Sequence, residues 1–407
     1  MKYLRRHAEK TLKRLASEFP AVLITGARQT GKTTMLRRYT DSLDIPHLTF
    51  DDPSEEQSAR YDPQTFMKLH PAPYMFDEIQ YVQELFRYLK IHIDTNRRNG
   101  MFYLTGSQPF NLMNTVSESL AGRIGILHLY PMSEREISGC AFDSPFFPDE
   151  VYIEERRKEL RKVGGDIWQS IFCGGYPEVC IGDVSPSDYY ESYLKTYIER
   201  DIRQLTQVGD EMQFLSFIRA AAARTGNLVN YSDLARDVGI SEATAKKWLS
   251  LLVTSGLVYL LQPYSANVEK RVIKTPKLYF IDTGLAAHLT RWSGPEVIQS
   301  GAMAGNFFET WVIGEIVKSF ANNGMDAPLY FYRDKDKKEI DLIICRDQNI
   351  FPVEIKKTAT PGRDDARNFD VLNRIKNVTI EKSLIICNCQ SPVSVSKGCI
   401  AIPVGYI

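Results

Sequence analysis

Eight consecutive residues, Gly26-Ala27-Arg28-Gln29-Thr30-Gly31-Lys32-Thr33, carry the spacing G-x-x-x-x-G-K-[ST]. Glycines let the backbone approach an anion closely and take positive φ. Lys32 is a point charge able to bridge β- and γ-phosphates, and the Thr33 hydroxyl is a hard-oxygen ligand for Mg²⁺. An apolar run at 21–25 precedes the loop and a helical pattern from about 32 to 39 follows it. The loop therefore opens onto a helix N-terminus, where partial positive charge favours anions. Residues 26–34, Thr34 included, are the expected nucleotide-binding set. A second apolar run, Tyr74-Met75-Phe76, ends in Asp77 and Glu78. Asp77 is suited to holding Mg²⁺ and Glu78 to polarising an attacking water. Ser107, after the run 102–106, either touches the γ-phosphate or that water, or lies in a plain turn. Arg123 either stabilises transition-state charge, in cis or from a neighbouring subunit, or is a surface arginine.

A different set of residues lies near the C-terminus. Glu309 sits early in an amphipathic helical pattern, Asp341 opens an apolar run, and Glu354 and Lys356 stand two apart in the next. Residues two apart on a strand share a face. Two carboxylates and a lysine on neighbouring strands are able to bind Mg²⁺ and activate water against a phosphodiester, with Asp341 and Glu354 as metal ligands and Glu309 completing the shell. The order helix-Glu, strand-Asp, strand-Glu-x-Lys resembles the restriction-endonuclease-like fold, in a site that is either competent or inactive.

Between these sets, residues 230–241 read as a short helix and a turn at Gly239, with Ser241 placed to cap a second helix from 242. Gly256 closes that helix, and a strand at 257–261 supplies a wing, a winged helix-turn-helix pattern. Arg236, Lys246 and Lys247 are available for phosphates and Thr244 for base edges. The alternative is that the element packs against its neighbours and touches no DNA.

The elements that must position these residues alternate strand and helix in the first part: strands at 21–25, 47–51, 74–76, 101–104 and 124–129, helices near the N-terminus, at 32–39 and at 82–96. That pattern predicts a mostly parallel, doubly wound sheet. A linker at 142–148, a charged helix at 149–162 and a long helix at 188–207 follow. Residues 214–261 read as mostly helical. The last hundred residues read as helix 306–320, strands 329–333, 339–345 and 350–355, helix 363–375 and strand 383–387. Expected domains are an ATPase domain at 1–140, a helical linker or lid at 141–210, a winged helix-turn-helix at 211–295 and a nuclease-like domain at 296–407.

Composition bounds the reading. The 407 residues include 43% apolar and 25% charged side chains, which excludes disordered and low-complexity classes. Lys and Arg number 50, as do Asp and Glu, so no uniformly basic nucleic-acid coat exists, though one domain can still carry a basic face. Seven cysteines lack metal spacing. They read as thiols of a reducing compartment, and without a signal core or spanning apolar run the expected location is cytoplasmic, with no membrane partner.

Seven runs in order resemble the prokaryotic AAA-like P-loop ATPases with a fused C-terminal domain of formerly unknown function. They are residues 26–34, with Ala27 where that family usually has proline, then Phe76-Asp77-Glu78-Ile79-Gln80, Leu104-Thr105-Gly106-Ser107 with Ser119-Leu120-Ala121-Gly122-Arg123, Gly174-Gly175-Tyr176-Pro177-Glu178, Tyr197-Ile198-Glu199-Arg200-Asp201-Ile202, and Lys277 through Leu285. The resemblance covers nearly the whole chain and implies an ATP-binding, ATP-hydrolysing core. The expectation is an ATPase using ATP and Mg²⁺ and acting on DNA through the C-terminal set. The alternative is a nucleotide-dependent switch that binds DNA or protein without cutting. A homo-oligomer is open in either case.

Overall fold

The computed structural model describes residues 3–107, 116, 118–159, 166–182, 184–198, 211–264, 275–334, 336–375 and 378–407. The chain forms two compact units, one built on Met1–Met132 with Thr254–Leu257 and Ala321–Met325, the other on the remainder.

The first unit holds five parallel strands: β1 (Ala21–Thr25), β2 (His47–Thr49), β3 (Tyr74–Asp77), β4 (Phe102–Gly106) and β5 (Ile124–His128). Their order across the sheet is β2-β3-β4-β1-β5. Strands buried on both faces read as continuous apolar runs, and β1 and β4 have no exposed residue. Alternation divides their side chains between two cores. Ala21, Leu23, Phe76, Phe102 and Leu104 pack against residues of helices Pro53–Tyr61, Pro63–Leu69 and Leu85–Thr95. Val22, Ile24, Met75 and Tyr103 pack against Ala8–Glu18 and Lys32–Asp41. The sheet is thus parallel and covered on both faces, as expected.

Two of those helices were not foreseen. Pro53–Tyr61 and Pro63–Leu69 each start with proline at their first position behind an aspartate cap, Asp52 accepting from Ser54 N–H at 2.8 Å and Asp62 from Thr65 N–H at 3.0 Å. The Asp-Pro pairs were visible start signals. The segments are polar, so their short buried stripe, Ala59, Phe66 and Met67, did not stand out.

The second unit carries a ten-stranded mixed sheet. Its strands are β6 (Asn227–Leu228), β7 (Val258–Pro263), β8 (Lys277–Phe280), β9 (Leu329–Arg333), β10 (Glu339–Arg346), β11 (Asn349–Lys356), β12 (Thr379–Ile380), β13 (Ser383–Cys387), β14 (Val393–Ser396) and β15 (Cys399–Pro403). The main path runs β14-β15-β13-β11-β10-β9-β7-β8-β6, with β12 beside β11. The parallel pairing of β7 with β9 makes this one sheet, continuous across residues 295–296. The stretch 214–261, read as mostly helical, falls in helices Glu211–Ala222, Tyr231–Val238 and Glu242–Thr254, with β6 inserted after the first. Gly239 is left-handed at φ 73°, and Ser241 Oγ accepts the Thr244 N–H at 3.1 Å, so the turn and cap form as expected.

The helix expected at 363–375 is instead two short 3₁₀ segments, Arg363–Ala366 and Phe369–Arg374. Asp364, Asp365, Asn368 and Asp370 crowd this stretch, and short polar side chains compete with helical backbone bonds. The long helix expected at 188–207 begins as Pro186–Tyr193 and widens into a π-turn, Leu194–Ile198. Residues 199–207, and with them the end of the run 197–202, lie outside the described residues. So do 160–162 of the charged helix, whose described part is Glu150–Glu159.

Two further runs, with no chemistry of their own, meet in space. Asp282 caps helix Thr283–Leu289 by accepting the Leu285 N–H at 2.8 Å. It also accepts from Gly175 N–H at 2.7 Å and from the Tyr190 hydroxyl at 2.7 Å. A Cβ on Gly174, which has φ +71°, would stand 2.4 Å from Asp282 Oδ1, and one on Gly284 2.4 Å from the Tyr190 hydroxyl. Both glycines are therefore required by close packing. All seven cysteines are free thiols. Among the described residues no helix is long and apolar enough to cross a membrane.

Candidate functional site

Parallel strands end at one edge of a sheet, and loops at that edge are where α/β folds place ligands. β1 runs into the glycine loop there. A Cβ on Gly26, at φ +138°, would lie 2.2 Å from Leu129 O, and Gly31, at φ 89°, stands at the N-cap of helix Lys32–Asp41. Inside the loop Thr30 Oγ1 donates to Ala27 O at 3.0 Å and Lys32 Nζ donates to the same carbonyl at 2.8 Å. Ala27, Thr30 and Lys32 are buried, while Gln29 and Thr34 are exposed and Arg28 is intermediate.

β4 lies between β1 and β3 in the sheet, so the tips of three strands converge. The Thr33 hydroxyl donates to Asp77 Oδ1 at 2.8 Å, and the Thr105 hydroxyl donates to the same oxygen. The Glu78 N–H in turn donates to Thr105 Oγ1 at 3.0 Å. Burial raises the Asp77 pKa, and the bonds from Thr105 and Thr33 offset part of that rise. A hydroxyl and a carboxylate held together are hard-oxygen donors of the kind Mg²⁺ takes, so Thr33 and Asp77 fit that ion.

Glu78 takes φ 54° at the end of β3. Its Oε2 accepts from the Ser107 hydroxyl at 2.8 Å and from the Gln80 amide. Thr105 and Gln80 fell within two of the runs that carry the resemblance, but the sequence assigned them no role. A threonine inside a strand and a glutamine in a short helical turn carry no spacing signal for a site.

Arg123 is elsewhere. Its carbonyl accepts the Ala21 N–H at 3.0 Å, at the start of β1, and its guanidinium grips Asp94 at 2.6 and 3.0 Å. Five strand residues separate it from the loop edge, about 16 Å. The fold therefore does not bring Arg123 to the phosphate loop of its own chain. Beside the loop, an open recess of about 720 Å³ is lined by Tyr3, Thr33, Thr34, Arg37 and Arg38 among others. The Arg38 guanidinium lies 4.6 Å from the Tyr3 ring centroid, a cation–π distance. From the N-terminal segment, buried Arg6 donates to Thr30 O at 2.7 Å and to Tyr130 O at 2.8 Å.

The second unit gathers the C-terminal set. Antiparallel register, Leu342 opposite Val353, brings Asp341 beside Glu354. Asp341 also falls within a register shift between β10 and β9, the kind of irregularity that re-aims a side chain. Lys356 Nζ donates to Asp341 Oδ2 at 2.9 Å and to Glu354 Oε2 at 2.6 Å. Asp341 Oδ2 also accepts the Ile355 N–H at 2.9 Å. Glu309, on helix Ala304–Asn322, is bound instead by two residues of β8: Lys277 Nζ at 3.0 Å and the Tyr279 hydroxyl at 2.5 Å. Lys277 also meets Glu339 at 2.6 Å. The four residues singled out from the sequence thus share one cluster, and Lys277, Tyr279 and Glu339 join it. Nothing in β8 or in Glu339 predicted this, because the pairing of distant strands created it.

Charges in the cluster are set by burial and by neighbours. Burial, then Asp341, pushes the Glu354 carboxyl up to about 9, with Lys356 opposing. Burial works against charge on Asp341, yet Lys356, Glu354 and Lys277 hold it below the usual carboxylate range. Burial works against charge on Lys277 too, and Glu309, Asp341 and Glu339 outweigh it. Burial and the neighbouring carboxylate thus favour the neutral form of Glu354, while Lys356 and Lys277 favour charge on Asp341. Glu354 Oε1 is buried without a hydrogen-bond partner. Among the described residues no three His, Cys, Asp or Glu side chains form a group that would hold a metal ion. With each pair of acids held by a lysine, the cluster does not fit a divalent ion as it stands.

On helices Tyr231–Val238 and Glu242–Thr254, Arg236 pairs with Asp233 at 2.6 Å and Lys246 with Glu242 at 2.8 Å. The Thr244 hydroxyl is bonded to Ser241 at 2.8 Å. Lys247 has no carboxylate partner among the described residues.

Comparison with known proteins finds three matching stretches of the chain. Residues 18–138 match a family described as an AAA domain. Residues 164–296 and 304–407 match two families each described as a domain of unknown function, DUF8612 and DUF4143. An uncharacterized protein of Mycobacterium tuberculosis is 29% identical over 364 residues, 88% of this chain and 75% of its own length. One of Haemophilus influenzae is 26% identical over 360 residues, 82% and 81% respectively. Among solved structures, a Walker-type ATPase of Pyrococcus abyssi is 18% identical with a TM-score of 0.42, covering 71% of this chain and 96% of that one. A RuvB variant of Thermotoga maritima is 16% identical with a TM-score of 0.30, covering 62% and 85%. With its phosphate loop and parallel sheet, the first part of this chain is thus similar over residues 18–138 to AAA-like P-loop ATPase domains.

Proposed function

We propose that the protein binds ATP with Mg²⁺ at residues 26–34 and hydrolyses it. The observation that carries this reading is the chain of bonds Thr33–Asp77–Thr105–Glu78–Ser107 across the tips of three strands. In it, Thr33 and Asp77 hold Mg²⁺, which would neutralise charge developing on the phosphates. The loop N–H groups and Lys32 bind the phosphates. Glu78 takes the proton of the attacking water, and Ser107 donates toward the γ-phosphate. Tyr3 and Arg38 wall the recess next to Thr34, suited to the nucleoside end.

For the second unit, the alternative of nucleotide-dependent binding without cleavage is the better supported. Lys277 and Lys356 hold the acids, and Arg236 and Lys246 are matched by Asp233 and Glu242. Cleavage of DNA by Glu309, Asp341, Glu354 and Lys356 is the second reading, favoured by their convergence in one cluster. Arg123 serves, if anywhere, a neighbouring subunit of a homo-oligomer.

The test measures ATP hydrolysis with Mg²⁺ together with cleavage of plasmid and single-stranded DNA. Wild type, Lys32→Ala and Glu354→Ala are compared. Hydrolysis lost in Lys32→Ala alone supports the ATPase reading, and a wild type without hydrolysis sinks it. DNA cleavage abolished by Glu354→Ala, with hydrolysis intact, would promote the nuclease reading over the binding one.

A further inference from the structure

Gln80 is a buried polar side chain at the ATP site that the hydrolysis scheme above leaves without a task. It is 7% exposed and lies two residues past Glu78, in the short turn Ile79–Val82. Its amide nitrogen donates to Glu78 Oε2 and to Ser107 Oγ at 3.3 Å, and its amide oxygen accepts the Ser107 N–H at 3.4 Å. Ser107 Oγ closes the ring by donating to Glu78 Oε2 at 2.8 Å. One carboxamide therefore spans the ends of β3 and β4 and touches both groups that face the reacting phosphate.

We propose that Gln80 is a positioning residue that couples Ser107 to Glu78. The inference rests on the ATPase reading. The Ser107 hydroxyl donates to Glu78, and the carboxylate is held by two donors. When a γ-phosphate oxygen draws the Ser107 hydroxyl, Glu78 loses one donor and is free to accept from water. Gln80 keeps hold of both groups through that exchange, so that the carboxylate stays aimed. A carboxamide suits the place, which needs a donor toward a carboxylate and an acceptor toward a backbone N–H. Glutamate at 80 would be acceptor-only and would face Glu78 with like charge. Leucine would keep the volume and lose every bond.

Gln80→Leu, Gln80→Glu and Gln80→Ala are compared with wild type by steady-state ATP hydrolysis. Affinities for ADP and for a non-hydrolysable ATP analogue, and melting temperature, are measured alongside. The expected result is kcat lowered about 10- to 100-fold, a range typical for loss of a group that orients an acid–base residue. ADP affinity should stay within about twofold, since no contact to the α- and β-phosphates changes. The preference for the triphosphate analogue over ADP should shrink. Unchanged kcat and unchanged preference in Gln80→Leu and Gln80→Ala would overturn the inference. So would ADP affinity and melting temperature falling in step with kcat, the mark of a merely structural role. If wild type hydrolyses no ATP, the ATPase reading fails by itself, and the analogue-to-ADP preference still reports on Gln80.

Discussion

Glu354 shows how far a buried neighbourhood can move one group. In the unfolded chain it ionises near the ordinary glutamate value, while in the fold it holds its proton to about pH 9. The folded state thus binds one more proton than the unfolded state between those values. The stability linked to Glu354 is full below the unfolded value and is lost as pH rises through the folded one. Wild type should therefore lose stability on this account from about pH 5 to pH 9, by at most ~1.4 kcal/mol per pH unit. Glu354→Gln, neutral throughout, should gain on wild type as pH rises. Urea denaturation of both proteins at several pH values reads this directly, and a pH-independent difference would mean that Glu354 is ionised in the fold.

Elements are joined by a few close contacts, and these are where substitutions will be felt. Gly174→Ala and Gly284→Ala each drive a Cβ to 2.4 Å from the Tyr190 hydroxyl or Asp282. Overpacking of that kind costs about 1–3 kcal/mol, and the positive φ of Gly174 adds strain. Chemical denaturation should show the larger loss for Gly174→Ala. Lys277 ties β8 to helix Ala304–Asn322 and to β10 through Glu309 and Glu339. Removing one partner of a buried ion pair leaves an uncompensated charge, at a cost of about 3–5 kcal/mol. Lys277→Met should be destabilised on that scale, and Lys277→Met combined with Glu309→Gln should recover part of it. No recovery in the double variant would place the cost in packing and not in charge.

At the scale of the molecule, a ligand that binds only the folded state stabilises it by mass action. ATP at a hundredfold excess over its dissociation constant should add about 2.7 kcal/mol. The melting temperature should rise with ATP in wild type and stay fixed in Lys32→Ala. A rise of equal size in both would mean that ATP binds away from residues 26–34.

The sequence alone determined the phosphate loop, the strand ending in Asp77-Glu78, the parallel sheet and half the strands of the second unit. Each of these rests on local signals: glycine spacing, apolar runs and their alternation. It also put Glu354 and Lys356 on one face, because a strand repeats every two residues. It could not reveal that β4 lies between β1 and β3, which brings Thr105, Ser107 and Gln80 to Asp77 and Glu78. Nor could it reveal that β8 supplies Lys277 and Tyr279 to Glu309, or that Gly174 and Asp282 meet. Those facts belong to strand order and to packing between segments far apart in the chain. No periodicity within a segment encodes which distant segment it will face, so the tertiary structure alone decided them.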